Sequence, residues 1–179
     1  MIGWREIADF VLMSLIVGYI FSDFFRKDIK KVFDPKAILL SAAIIAPAIV
    51  LHELAHKFTA LALGLNATFH AAYAWLMVGI ILKALGTGFI FFVPAYVTIT
   101  GASTPLTQSA VAAAGPLTNL ALFVISWAVL KLGLLKKKNQ IFFAVITKRI
   151  NGFLFIFNII PIPGFDGFQF FSGVIKTFF

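Results

Sequence analysis

The chain of 179 residues has no cysteine, so no disulfide or thiolate-held metal can form, and any metal must be bound through His, Asp or Glu. Charge is scarce too: Asp, Glu, Lys and Arg make up 12% of the residues, against about 25% in an ordinary soluble domain. Only seven residues are acidic and three are histidine, so each acid or imidazole inside an apolar run needs a reason. What is abundant is hydrocarbon: 61% of the residues are hydrophobic and 22 are phenylalanine. A soluble core cannot absorb that composition, which belongs in a bilayer. The net charge of +8 does not reverse this reading. The basic residues gather in two short segments between apolar runs, as Lys and Arg do around membrane spans, so a nucleic-acid partner is not expected.

The polar residues that stand out lie in the apolar run that begins near Ala37 and continues past Leu63. There Val50-Leu51-His52-Glu53-Leu54-Ala55-His56 places two of the three histidines four residues apart. On a helix, residues i and i+4 share a face, so both imidazoles reach one ion while Glu53 lies beside them, free to act on a water. This HExxH spacing is that of zinc peptidases. The competing reading is a buried polar cluster bonded to neighbouring helices.

Along the chain, residues 7–25 form a first apolar run with Asp9 and Asp23 near its ends and Trp4 as an interfacial anchor, expected to be a retained span and not a cleaved signal. A basic connection, Arg26 to Lys31, closes at Asp34-Pro35. The second span, about residues 36–63, contains Pro47 and is stopped by Gly64 and Asn66. Ala71 to Leu85 is short for a crossing and holds Lys83, so a re-entrant segment is as compatible as a span. After Gly86-Thr87-Gly88, the run from Phe89 to Thr100 is aromatic and β-branched, which favours a strand. Pro94 would confine that strand to a sheet edge, and the second helix of a membrane hairpin is the alternative. Another span, about Gln108 to Leu130, opens with small residues through Ala114-Gly115-Pro116 and carries Asn119, a pattern of close helix packing. Lys136-Lys137-Lys138 leads to a last long run, Ile141 to Ile160, in which Lys148 and Arg149 either snorkel or break the helix. The prolines and glycines of Ile160-Pro161-Ile162-Pro163-Gly164-Phe165-Asp166-Gly167 end that helix, and a short apolar helix closes the sequence.

Catalytic zinc wants three protein ligands and one open position. His52 and His56 supply two. Asp166, the single acid in the last hundred residues, is the preferred third because irregular backbone at membrane depth is tolerated only around a cavity; His70 is the rival.

The motifs then form a set. HELAH in an early span, Gly115-Pro116-x-x-Asn119 in a middle span and Asn158-x-x-Pro161-x-x-x-x-Asp166-Gly167 in the last resemble, in order, the signatures of the site-2 protease family of intramembrane zinc metalloproteases. The resemblance covers about residues 37–168. It implies that His52, His56 and Asp166 ligate one zinc per chain, that Glu53 is the catalytic acid/base, and that Asn119 and Asn158 lie near the site, as substrate-binding or oxyanion groups. It also implies substrates that are membrane-embedded helices of other proteins. The chain has no room for the peptide-binding domain that many similar proteins insert.

The expectation is an all-α polytopic membrane protein with about four to six membrane-embedded helical segments and a small β-strand element near residues 89–99. Residues 1–179 are read as one membrane-embedded domain: an accessory first span and basic loop (1–36), a metalloprotease core (37–168) and a C-terminal helix (169–179). Its partners would be the lipid bilayer and a transmembrane-protein substrate, and its place a multi-pass position in the plasma membrane of a prokaryote. The alternatives are a metal-ion transporter, which would show more polar groups along a path, and a non-catalytic zinc-binding scaffold, which has no use for Glu53. On orientation two arguments diverge. Five basic residues from Arg26 to Lys36 and four from Lys131 to Lys138 would put both connections in the cytoplasm. The resemblance instead implies that the Gly64 end of the second span faces inward.

Overall fold

A computed structural model of the chain describes residues 2–26, 33–86 and 93–179. Six α-helices and two short strands run through those residues in the order α1 (Trp4–Ile20), α2 (Pro35–Ala62), β1 (Asn66–Ala71), α3 (Tyr73–Ala84), β2 (Ala95–Thr100), α4 (Pro105–Lys131), α5 (Lys138–Ile159) and α6 (Asp166–Phe178). Three of them, α2, α4 and α5, are long and apolar enough to cross a membrane, with mean hydropathy of 2.1, 1.7 and 1.4 over their most apolar stretches. On α4 and α5, Leu117, Val124, Ile125, Phe153 and Ile156 are exposed, as suits helices solvated by hydrocarbon.

The chain divides into two compact units, Met1–Val50 with Phe69–Thr98, and Leu51–Thr68 with Ile99–Phe179. In the first, α1 packs against α3. Gly18 of α1 approaches α2 so closely that a Cβ there would lie 2.7 Å from the Ala42 Cβ and from the Ile38 carbonyl oxygen. The two acids near the start of α1 have structural partners. Glu6, buried, accepts from the backbone N–H of Gly3 (2.7 Å) and of Phe69 (2.7 Å), and Asp9 accepts from the N–H of Ala71 (3.2 Å) and the Tyr73 hydroxyl (2.5 Å). Phe69 and Ala71 are alternate residues of β1, so one row of strand donors ends on carboxylates spaced one helical turn apart. Lys83 has an equally local reason. Its ammonium donates to the carbonyls of Tyr19 (2.7 Å) and Ile20 (3.3 Å) at the end of α1, to Ser22 Oγ (2.9 Å) and to Asp23 (2.7 Å), and so caps that helix.

In the second unit α4 packs against both α5 and α6. Thr104 caps α4, its hydroxyl accepting from the Thr107 N–H at 3.2 Å, with Pro105 at the first helical position. The buried residues Ala112, Gly115, Pro116 and Asn119 recur at three- and four-residue spacing, which sets them on one face. Between α5 and α6, Gly164 takes a positive φ of 99° and Phe165 turns its ring edge-on to Phe157 at 4.7 Å. A Cβ on Gly167 would run into the Ile159 backbone, so α6 can start this close to the end of α5 only with glycine there.

Some expectations are corrected and others are decided between their alternatives. The first apolar run, expected to span from 7 to 25, is helical only from Trp4 to Ile20, with a separate tight turn at Ser22–Phe24. The segment expected over Ala71 to Leu85 is a 12-residue helix, too short to cross. Lys148 and Arg149 do not break α5. The strand expected near 89–99 is observed as Ala95–Thr100, and it pairs with β1, which was not expected. Residues 87–92 and most of the Arg26–Lys31 connection lie outside the described residues. β1 could have been read: Asn66-Ala67-Thr68-Phe69-His70-Ala71 alternates polar and apolar without exception, and its burial alternates with it.

Candidate metal centre

The centre lies wholly in the second unit. Its first two side chains come from α2, where the four-residue interval stacks the imidazoles of His52 and His56 with centroids 4.7 Å apart and planes at 80°. Both residues are buried. The third comes from the first turn of α6, where the broken backbone after Pro161 delivers the Asp166 carboxylate and the helix N-terminus favours its negative charge. His52 Nε2 lies 3.0 Å from Asp166 Oδ2, His56 Nε2 lies 3.3 Å from it, and the two Nε2 atoms are 3.1 Å apart. Among the described residues this is the one cluster of three groups whose donor atoms come close enough to share an ion. His70, the rival third ligand, lies in β1 with its ring 5.4 Å from that of Tyr96 and is not in the cluster.

The protonation of this triangle follows from what stands behind each ring. His56 Nδ1 is 2.7 Å from the backbone carbonyl of Val111, which can only accept, so Nδ1 carries the hydrogen and Nε2 of the neutral ring is a bare lone pair. His52 Nδ1 is 2.6 Å from Asn119 Oδ1, also an acceptor, with the same result. With both rings neutral, two imidazole lone pairs and a carboxylate oxygen face one another. A proton on one edge would satisfy one pair, whereas a cation at the centre satisfies all three. The dimensions agree with such an ion. Tetrahedral bonds of about 2.0–2.1 Å set ligand atoms roughly 3.3 Å apart, close to the three observed edges.

Space is left by what is missing from α4. A Cβ on Gly115 would lie 2.5 Å from His52 Nε2 and 2.7 Å from its Cδ2, and closer still to His56 Nε2. The residue that the sequence offered as a helix-packing glycine thus also faces both imidazoles. Glu53 follows His52 on α2 and is half-buried. Asn119 is fully buried and spends its amide on the site's framework, its Oδ1 on His52 and its Nδ2 on Asn151 Oδ1 at 2.8 Å. Asn158 donates to the Leu154 carbonyl of its own helix at 3.0 Å. Asn151, buried beside Asn119, was not singled out by sequence reasoning, since one asparagine on an apolar helix carries no spacing signal.

No protein-family model matches the chain, and no solved structure matches it significantly. A protein of the archaeon Methanocaldococcus jannaschii, named "Putative zinc metalloprotease", is 35% identical to it over 166 residues, which cover 91% of this chain and 81% of the relative. With that identity and coverage joined to a His-His-Asp triangle of lone pairs, the chain belongs to the zinc metalloprotease family.

Proposed function

We propose that this zinc metalloprotease is of the site-2 type and cuts peptide bonds within the transmembrane segments of other proteins, as a multi-pass protein of a prokaryotic plasma membrane. The observation that carries the proposal is the place of the triangle: two of its three groups lie on α2, the most apolar of the three helices long enough to cross a bilayer. A soluble peptidase has no need to bury its ligands in such a helix. The His-Glu-His, Gly-Pro-x-x-Asn and Asn-to-Asp-Gly motifs point the same way.

His52, His56 and Asp166 would hold one zinc and leave a fourth position open. Bound there, zinc would supply Lewis acidity, polarising a peptide carbonyl and lowering the pKa of water at the open position. The chain's own groups do the rest. Glu53, next to His52, takes the proton of the attacking water and returns it to the leaving amine. The Val111 carbonyl and the Asn119 amide keep both rings in the tautomer that presents Nε2. Asn119 is engaged at both ends, so its part is to orient His52, and Asn158 is the asparagine assigned to steady the substrate backbone. A substrate helix must unwind to expose its carbonyls, and the edge of β2 is proposed to receive it as an added strand. In support, β1 has two of its backbone donors taken by Glu6 and Asp9, so among the described strands β2 is the one proposed for strand addition.

The decisive test is Glu53→Gln in purified protein given a transmembrane peptide substrate. Cleavage should fall by at least about a hundredfold, the lower end of the contribution of a general base, with zinc stoichiometry unchanged. Cleavage that persists in Glu53→Gln, or a wild-type protein that binds zinc and cuts only soluble peptides, rejects the proposal. A transporter or structural zinc site would keep its behaviour in this variant.

A further inference from the structure

Behind His52 runs a chain of amides whose direction is fixed at its far end. Asn151 Nδ2 lies 2.8 Å from the backbone carbonyl oxygen of Thr147, one turn earlier on α5. That oxygen has no proton to give, so the Asn151 amide must turn its nitrogen toward it. Its Oδ1 is thereby aimed at α4, where it accepts from Asn119 Nδ2 at 2.8 Å. Asn119, with its nitrogen so committed, offers Oδ1 to His52, and the 2.6 Å contact obliges His52 Nδ1 to hold the ring hydrogen. The lone pair is left on Nε2, facing His56 and Asp166. Each link permits only one orientation of the next. Asn119 and Asn151 are 0% and 1% exposed, so water is not there to relax the order.

We infer that Asn151 is a positioning residue for His52: it fixes the Asn119 amide, and through it the tautomer that keeps His52 Nε2 free to bind a cation. Without the Asn151 oxygen, the Asn119 nitrogen loses its acceptor on α5, and a half-turn of the amide is no longer opposed from that side. Its nitrogen would then meet Nδ1, and the ring hydrogen would move to Nε2, into the metal position. His56 is secured differently, by the Val111 carbonyl, which cannot rotate. The relay therefore guards the one ligand of the pair whose partner could flip.

The inference rests on the proposed zinc site, and the experiment separates the two. Zinc affinity of the detergent-solubilised full chain is measured by chelator competition, with circular dichroism confirming the fold of each variant. Asn151→Leu, close in shape and without polarity, should bind zinc at least about tenfold more weakly, the range for loss of a partner behind a ligand. Asn151→Asp should stay inside that tenfold margin, because its carboxyl oxygen still accepts from Asn119. Asn119→Ala should weaken binding, and adding Asn151→Leu to it should cause no further loss, since no amide remains to be fixed. A merely structural Asn151 would show losses that add in the double variant, and that result overturns the inference, as does wild-type affinity in Asn151→Leu. If the leucine variant does not fold, Asn151→Ala takes its place in the same comparison. A wild-type chain that binds no zinc would overturn the metal reading and this inference together.

Discussion

The sharpest test of the centre adds one methyl group. In Gly115→Ala the new Cβ would stand 2.5 Å from His52 Nε2 and nearer still to His56 Nε2, where a comfortable carbon contact is about 3.5 Å. The rings or the helix must therefore retreat by about 1 Å, roughly five times the 0.2 Å or so by which metal–ligand distances vary. Neither ring can simply swing away. His56 is held by the Val111 carbonyl and His52 by Asn119, and both histidines are buried. Alanine also strengthens a helix by about 1 kcal/mol relative to glycine, so weakening of α4 itself cannot account for any loss. Zinc affinity should fall at least a hundredfold, the upper end of what removing a supporting partner costs, while helix content stays unchanged. The assay is metal content after equilibration in a zinc buffer, beside a far-ultraviolet spectrum of the same sample. Gly115→Ala with wild-type affinity would refute the reasoning, because it would mean the ion sits away from the Nε2 triangle.

Two further outcomes follow from the same geometry. Removing zinc with a chelator leaves three potential ligand atoms 3.0 to 3.3 Å apart with no ion to join them, so the unfolding temperature should drop and be restored by stoichiometric zinc; an unfolding temperature indifferent to zinc would count against the triangle as its seat. In the other unit, Glu6→Ala strands the buried Phe69 N–H and should cost about 1–3 kcal/mol in denaturant-induced unfolding, with no change there contradicting the account of β1.

How much of this could be read in the sequence depends on the range of each signal. The helical interval of His52 and His56 is a property of neighbours on one element, and it singled out two candidate ligands without help. Asp166 was singled out as a candidate by scarcity, because an acid in so apolar a chain has few uses. The limits of α2, α4 and α5 came within a few residues, since long apolar runs with proline, glycine and basic ends leave little freedom. Most of the misses are contacts across elements. Lys83 looked out of place until it met the last carbonyls of α1, about sixty residues away in sequence. Asp9 looked like an ordinary end of a span and Glu6 drew no reading, and only the folded chain shows them holding β1. β1 went unread for a different reason. Its alternation is complete, but Gly64 and Asn66 had already been spent on stopping α2, and six residues gave no length with which to contest that.

The same limit explains why periodicity finds ligands more readily than it finds what makes them ligands. An imidazole binds a cation only with its hydrogen on the far nitrogen, and that choice belongs to the group behind the ring. For His56 the group is a main-chain carbonyl, which any residue at position 111 would provide, so no side-chain pattern can announce it. For His52 it is a side chain on α4, ordered by another on α5, each alone resembling a polar residue placed for helix packing. Yet the rarity argument that singled out Asp166 applies to them as well: an asparagine with no exposed surface in a hydrocarbon-soluble helix is costly unless both ends of its amide are satisfied. Asn119 and Asn151 meet that condition through each other. Buried amides that pair in series and end on a backbone carbonyl have a single direction, and the site at the other end inherits it.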